Sequence, residues 1–164
     1  MVLIDVWLFG GGAINTIEKI QQINRSGPWT TKSGGRLEVL CRLGFSESLE
    51  FLNYFKDSDI RGLRIYIVSF LPKKAVGGKE FHKIRSEILI VVNGKILLIC
   101  EDVKGGRMEY VLTPETGGIM VPPYILHTYI VQEEGSSILV LANTDFDPED
   151  PLTHDSYPER EFHL

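Results

Sequence analysis

Between Arg36 and Ala142 the chain is a succession of short β-branched or aromatic runs, each bounded by Gly, Pro or Asn. This punctuation constrains the fold more than any other feature. Leu63–Leu71, Glu87–Val92, Lys95–Cys100, Arg107–Leu112, Ile119–Val121, Leu126–Val131 and Ser137–Ala142 each predict a strand. Arg36–Leu43 alternates polar and apolar residues, as a half-buried strand does. The runs recur about every ten residues with no helical segment between most of them, which predicts an antiparallel sandwich or barrel rather than βαβ units. Asn93-Gly94, set between I-L-I-V-V and K-I-L-L-I, predicts a hairpin closed by a type I′ turn. Lys104–Arg107 and Glu133–Ser136 read as further tight turns. One short helix is expected over Ser46–Lys56, where Leu49, Leu52 and Phe55 share a face.

The front of the chain reads differently. Ile14, Ile17, Ile20 and Ile23 recur every three residues and predict a short amphipathic helix. Gly10–Gly12 has neither the spacing nor the Lys-Ser/Thr of a phosphate-binding loop. The turn-rich stretch Arg25–Gly35 then reads as a flexible connection or an arm. The expected division is therefore an N-terminal helical extension and linker over 1–34, followed by a β-barrel with an acidic C-terminal segment over 35–164. That segment, around Asp147–Pro151, is expected to drape over the barrel or to be disordered. A net charge of −5 leaves no basic excess for a phosphate backbone, so no nucleic-acid partner is expected. Asp5 interrupts the apolar start, which is too short to span a bilayer and lacks a basic flank, so neither a membrane span nor a secretory signal is expected. Two cysteines, Cys41 and Cys100, make no disulfide framework and suit a cytoplasmic protein with reduced thiols.

The histidines locate the chemistry. If Glu80–His82 is extended, both side chains point to one face, since strand side chains alternate. Glu87 opens the following strand, and His127 follows the Pro122-Pro123 turn. Two imidazoles and two carboxylates converging in the mouth of a β-barrel would make a divalent-metal site or an acid/base pocket. Taken singly, each also suits a blander role, a histidine satisfied by backbone or a solvated glutamate. Tyr66, Tyr129 and Phe81 equally suit the core or a pocket wall.

Glu80-x-His82, four residues, Glu87, six residues and Gly94 resemble the first motif of the cupins, with Glu80 in place of the first histidine of H-x-H. Gly117, Pro122 and His127 resemble the second, with Tyr124 in place of the usual turn glycine. Within that superfamily, residues Gly35–Tyr157 are similar to the sugar-nucleotide cupins, the dTDP-4-keto-6-deoxyhexose 3,4-ketoisomerases and the related 3,5-epimerases. The similarity rests on Gly35-Arg-Leu, Asp59–Tyr66, Gly78–Lys83, Ser137–Ala142 and Asp145–Asp150. The resemblance implies an antiparallel double-stranded β-helix, the cupin or jelly-roll barrel, and a homodimer. It also implies proton transfer α to the keto group of a 4-keto-hexose on a nucleoside diphosphate, with no cofactor required.

Carried over residue by residue, Glu80 stands at the base position and His82 at the second family position, where it shuttles protons or holds the 4-keto oxygen. His127 and Tyr129 complete the expected catalytic set. Arg64, Tyr66, Lys74, Lys79 and Arg85 are the expected substrate-binding residues, with Lys73 beside them. Gly77 replaces the motif's arginine, and Val140 or Leu141 stands where the epimerases have a tyrosine, which disfavours 3,5-epimerisation. Two alternatives remain open from sequence. One is a metal-dependent cupin enzyme holding Fe, Mn, Ni or Zn on Glu80, His82, Glu87 and His127. The other is a non-catalytic barrel that binds a sugar or nucleotide.

Overall fold

The computed structural model describes residues 15–44, 46, 48, 51 and 61–162. Two five-stranded antiparallel sheets carry the fold among these residues. The first runs in the order β1 (Gln21–Ile23), β9 (Gly118–Val121), β6 (Glu87–Asn93), β11 (Ser136–Thr144) and β4 (Arg61–Leu71). The second runs β12 (Tyr157–Pro158), β5 (Val76–Phe81), β10 (Ile125–Val131), β7 (Ile96–Asp102) and β8 (Arg107–Leu112). β2 (Ser26–Thr30) and β3 (Arg36–Val39) form a separate antiparallel ribbon. Apart from the β7–β8 hairpin, successive strands from β4 to β11 pass from one sheet to the other, which is how a double-stranded β-helix winds. The antiparallel all-β fold expected from the strand spacing is what forms, wound as the resemblance implies.

Alternation explains the interior. Leu89, Val91, Ile119, Ile138 and Val140 of the first sheet meet Ile96, Leu98, Cys100, Ile125 and Val131 of the second in one buried cluster. Each such aliphatic side chain removed from water contributes about 1.5–3 kcal/mol. The outer face of the first sheet is covered over Ile88, Ile90 and Met120 by Leu40, Leu43 and Phe51. That of the second is covered over Phe81 and Leu126 by Tyr157 and Phe162. The outer face of β4 stays bare: Leu63, Ile65 and Ile67 are 58%, 59% and 55% exposed. No helix of the described residues is long and apolar enough to cross a membrane.

Several local expectations are corrected. The helix predicted from the isoleucine spacing is, over the described residues, a 3-10 turn at Ile17–Lys19 followed by β1. A period of three fits the 3-10 repeat better than the 3.6 of an α-helix, and β-branched Ile23 suits a strand paired with Gly118. Arg25–Gly35 is not a loose connection, because Ser26–Thr30 pairs with Arg36–Val39. Strand β3 stops at Val39, and Leu40–Leu43 leave the ribbon to cover the first sheet. Most of the predicted helix over 46–56 lies outside the described residues, of which Ser46, Ser48 and Phe51 are helical.

Asn93-Gly94 closes no hairpin: β6 pairs with β9 and β11, β7 with β10 and β8. The tight turn instead carries the chain between sheets. Only Gly94 of the two is left-handed, at φ +77°. Asn93 donates to Gly135 O at 2.9 Å, tying this turn to the one that leads into β11. The acidic C-terminal segment docks on the barrel through β12 and Phe162.

Candidate functional site

The second sheet contributes Glu80, His127 and Tyr129 through one irregularity. In the β10–β5 register His127 faces Glu80, but Thr128 faces Gly78 and Tyr129 faces Gly77, so Lys79 is an extra residue. Lys79 takes the bulge with φ +60°. The bulge changes the phase of the alternation, so that Gly77 and Glu80 both lie inward although they are three residues apart. Tyr129 lies across Gly77 so closely that a Cβ there would fall 2.1 Å from its Cζ. A side chain at position 77, where the resemblance to the sugar-nucleotide cupins expects an arginine, is thus replaced by a tyrosine ring from the neighbouring strand.

The first sheet contributes Tyr66 from β4, Glu87 from β6 and Val140 from β11. Tyr66 pairs with Val140, which pairs with Leu89, placing three inward side chains in a row. The 82–86 connection between β5 and β6 brings His82 and Arg85. Its conformation is set from a distance: the Asp155 carboxylate accepts from the N–H groups of Lys83, Ile84 and Arg85 at 3.0, 2.9 and 2.7 Å. Ser86 N–H donates to Asn143 Oδ1 at 2.7 Å, and Arg85 Nε to Thr144 Oγ1 at 2.9 Å. Tyr124, at the glycine position of the second motif, adopts φ +60° and donates its N–H to His82 O. This turn therefore joins the two histidine segments.

Glu87 is the electrostatic centre. Tyr66 OH donates to it at 3.1 Å and Arg85 Nη1 at 3.4 Å. His82 Nε2 and His127 Nε2 approach it at 3.6 and 3.8 Å. Burial alone would raise the Glu87 carboxyl; the nearby His82, then His127 and Arg85, outweigh it and hold the group well below the usual carboxylate range. Burial, then Glu87, pushes the Tyr66 phenol up. His127 is pulled down by burial and by His82. Both imidazoles commit Nδ1 to a backbone carbonyl, His82 to Asp155 O at 2.5 Å and His127 to Ile125 O at 3.1 Å. A carbonyl only accepts, so Nδ1 carries a proton in each, and Nε2, which bears a second proton in the imidazolium form, turns to the interior.

Two cavities share Tyr66 as a wall. The inner one, about 180 Å³, is lined by Tyr66, Glu80, Glu87, His127, Tyr129 and Val140, among others. The outer one, about 520 Å³, is lined by Arg64, Tyr66, Arg85, Phe146 and Ser156. The Arg64 guanidinium lies 4.9 Å from the Tyr66 ring centre and 5.0 Å from that of Phe146, a cation–π arrangement. Its Nε is buried without a hydrogen-bond partner. Donor atoms of Glu80, His82 and His127 all lie within 4.8 Å of one another, so these three residues fit a small cation as well as a proton-transfer role.

Of the sequence-predicted residues, Glu80, His82, Glu87, His127, Tyr129, Arg64, Tyr66 and Arg85 come together. Lys74 and Lys79 do not. Lys74 is exposed in the β4–β5 turn. The bulge sends Lys79 outward into a separate hollow with Glu101, Arg107 and Glu159. The reading from sequence missed Asp155, Ser156, Asn143, Thr144 and Phe146. Ser156 donates a hydrogen bond to the Glu80 carboxylate. The acidic-Pro composition of 145–151 marked this region as a surface tail, and no local signal shows that it folds back onto the histidines.

The family model described as FdtA: WxcM-like, C-terminal matches residues 43–158. No curated protein matches the chain. Among solved structures it is similar to QdtA, a sugar 3,4-ketoisomerase from Thermoanaerobacterium thermosaccharolyticum in complex with TDP. That likeness has 19% identity, 88% of this chain and 89% of that one covered, and a TM-score of 0.60. It is also similar to WlaRA, a TDP-fucose-3,4-ketoisomerase from Campylobacter jejuni, with 19% identity, 88% and 91% covered and a TM-score of 0.59. A 3,4-ketoisomerase from Helicobacter canadensis gives 16% identity, 88% and 93% covered and a TM-score of 0.61. At these identities the structural likeness is one of fold.

Proposed function

The chain belongs to the FdtA, WxcM-like C-terminal family, and on that premise we propose that it isomerises a 4-keto-hexose carried on a nucleoside diphosphate. The observation that carries this reading is the cluster of donor atoms of Glu80, His82 and His127, all within 4.8 Å of one another, at an inner cavity lined by Glu80 and His127 and beside a larger cavity walled by two arginines. Glu80 removes the proton at C3, and the C3–H electron pair forms the C3–C4 double bond of an enediol as O4 gains a proton. Return of a proton to C4 and loss of one from O3 leave the keto group at C3. No net oxidation occurs, so no electron carrier is needed. His82, with Nε2 turned inward, exchanges the proton at oxygen. Arg64 and Arg85 meet the diphosphate, and Tyr66 and Tyr129 wall the sugar. QdtA, which shares the fold, has been crystallised with TDP and, as a mutant, with TDP-4-keto-6-deoxyglucose. In deuterated water the sugar carbon gains deuterium during turnover; absence of exchange with every 4-keto nucleotide sugar offered overturns the reading. The reading includes a cytoplasmic location and a homodimer, the dimer supported by the apolar row Leu63, Ile65 and Ile67 on β4; a monomer by light scattering would remove the dimer.

The same 4.8 Å cluster favours one other reading, a divalent cation held by Glu80, His82 and His127 with Glu87 as a fourth ligand. Metal content after purification without chelator separates the two. Near-stoichiometric metal that is lost in His127→Ala supports the cation, whereas full turnover of chelator-treated enzyme removes it.

A further inference from the structure

Three consecutive residues of the C-terminal segment contact three consecutive residues of the site. Asp155 O accepts from His82 Nδ1 at 2.5 Å, Ser156 Oγ donates to the Glu80 carboxylate, and Tyr157 pairs with Phe81 between them. The segment is well anchored. Asp155 is 3% exposed, with its carboxylate clasping three successive N–H groups of the loop that carries His82 and Arg85. Tyr157 and Phe162 pack on Phe81, with ring centres 5.4 and 5.1 Å from it. Lys83 Nζ lies 3.9 Å from the Tyr157 ring centre and fastens the same junction from outside.

We infer that Asp155 and Ser156 are positioning residues: the first fixes the tautomer and plane of His82, the second fixes the direction of the Glu80 carboxylate. The physical need is plain. An imidazole has two nitrogens and a freely turning ring, and only a ring whose Nδ1–H is committed presents a consistent Nε2 to the cavity. His82 Nε2 is buried with no hydrogen-bond partner in reach, and the Glu87 carboxylate lies 3.6 Å from it. Glu80 is only half-buried, and without the Ser156 hydroxyl its carboxylate can rotate among several rotamers. At metal-ligating histidines and carboxylates, supporting partners of this kind are worth about 10- to 100-fold in affinity or activity, and the same orienting need applies here. Here they arrive from residues more than 70 positions further along the chain.

This inference rests on the proposed isomerase reading for its kinetic consequence but not for its structural one, and the experiment separates the two. In protein labelled with 15N-histidine, the His82 ring, assigned by its loss in His82→Gln, gives the nitrogen shifts of an Nδ1–H tautomer. In Asp155→Ala it becomes a mixture of tautomers. Both variants keep the backbone carbonyl that faces His82; the alanine loses the carboxylate that holds that carbonyl against the loop, whereas Asp155→Asn keeps one acceptor oxygen, folds where the alanine variant does not, and keeps the wild-type tautomer. Ser156→Ala lowers kcat about 10-fold or more with KM within about 3-fold, and Ser156→Thr restores most of the loss. An Nε2–H tautomer in the wild type, or an unchanged tautomer in folded Asp155→Ala, overturns the role of Asp155. A Ser156→Ala enzyme with wild-type kcat overturns that of Ser156. If no nucleotide sugar is turned over at all, the isomerase reading fails, the tautomer still decides the role of Asp155, and the Glu80 rotamer in a crystal structure of Ser156→Ala decides that of Ser156: an unchanged rotamer overturns it.

Discussion

Glu87 and Glu80 face one cavity from opposite sheets and are held in opposite ways. Glu87 sits on β6, the middle strand of its sheet, 4% exposed, with a phenol, a guanidinium and two imidazoles around its oxygens. Glu80 sits on β5, whose outer neighbour is the two-residue β12, and its partner is a single hydroxyl. A strand paired along its length on both sides can bury a fixed charge, because everything needed to neutralise it is already in place. A strand near the sheet's margin gives its carboxylate one neutral partner, which orients the group without neutralising its charge. The first arrangement builds a countercharge, the second a group able to move a proton.

Substitution tests this contrast most severely at the two glutamates. Glu80→Gln should cut turnover about 10²- to 10⁴-fold while the melting temperature stays within a few degrees. The contrast breaks if that variant unfolds or keeps its rate. Glu87→Ala should instead act on stability, by about 3–5 kcal/mol, because Arg85 and Tyr66 lose their buried partner; denaturant unfolding measures it. The pH dependence sharpens the same point. The folded pKa of Glu87 lies below its unfolded value, so its contribution is present above the ordinary carboxylate range and is lost as pH falls through the depressed value. Wild-type stability should accordingly fall more steeply in acid than that of Glu87→Gln.

Smaller effects are expected away from the carboxylates. Gly77→Ala places a Cβ against the Tyr129 ring and should cost about 1–3 kcal/mol while displacing that ring. An unchanged melting curve would mean that the ring moves freely. Lys79→Ala, on the outer side of the bulge, should change stability by no more than about 0.5 kcal/mol and leave kcat untouched. A large loss of rate there would return Lys79 to the cavity.

The strands were legible because β-branched runs between Gly, Pro and Asn carry their own signal. So was the meeting of Glu80, His82, Glu87 and His127, through period-two alternation and motif spacing. Asn93-Gly94 misled because a tight turn looks the same whether it joins paired strands or carries the chain between sheets. Lys79 misled because an extra residue in β5 reverses the alternation, and only its partner strand reveals the insertion. Asp155 and Ser156 were illegible for a simpler reason. Hydrogen bonds between segments more than 70 residues apart leave no local pattern.

Strand β4 presents two chemically opposite faces on alternate residues. Arg64 and Tyr66 line the cavities, while Leu63, Ile65 and Ile67 form the bare outer row. Among the described residues it is held on one side only, by β11. A slip of β4 by one residue against β11 would send the guanidinium and phenol into solvent and turn the aliphatic row onto Glu87. A single inserted or deleted residue within this strand would therefore turn the chamber inside out along one wall. Length, more than identity, is what a lineage carrying this barrel must preserve between Arg61 and Leu71.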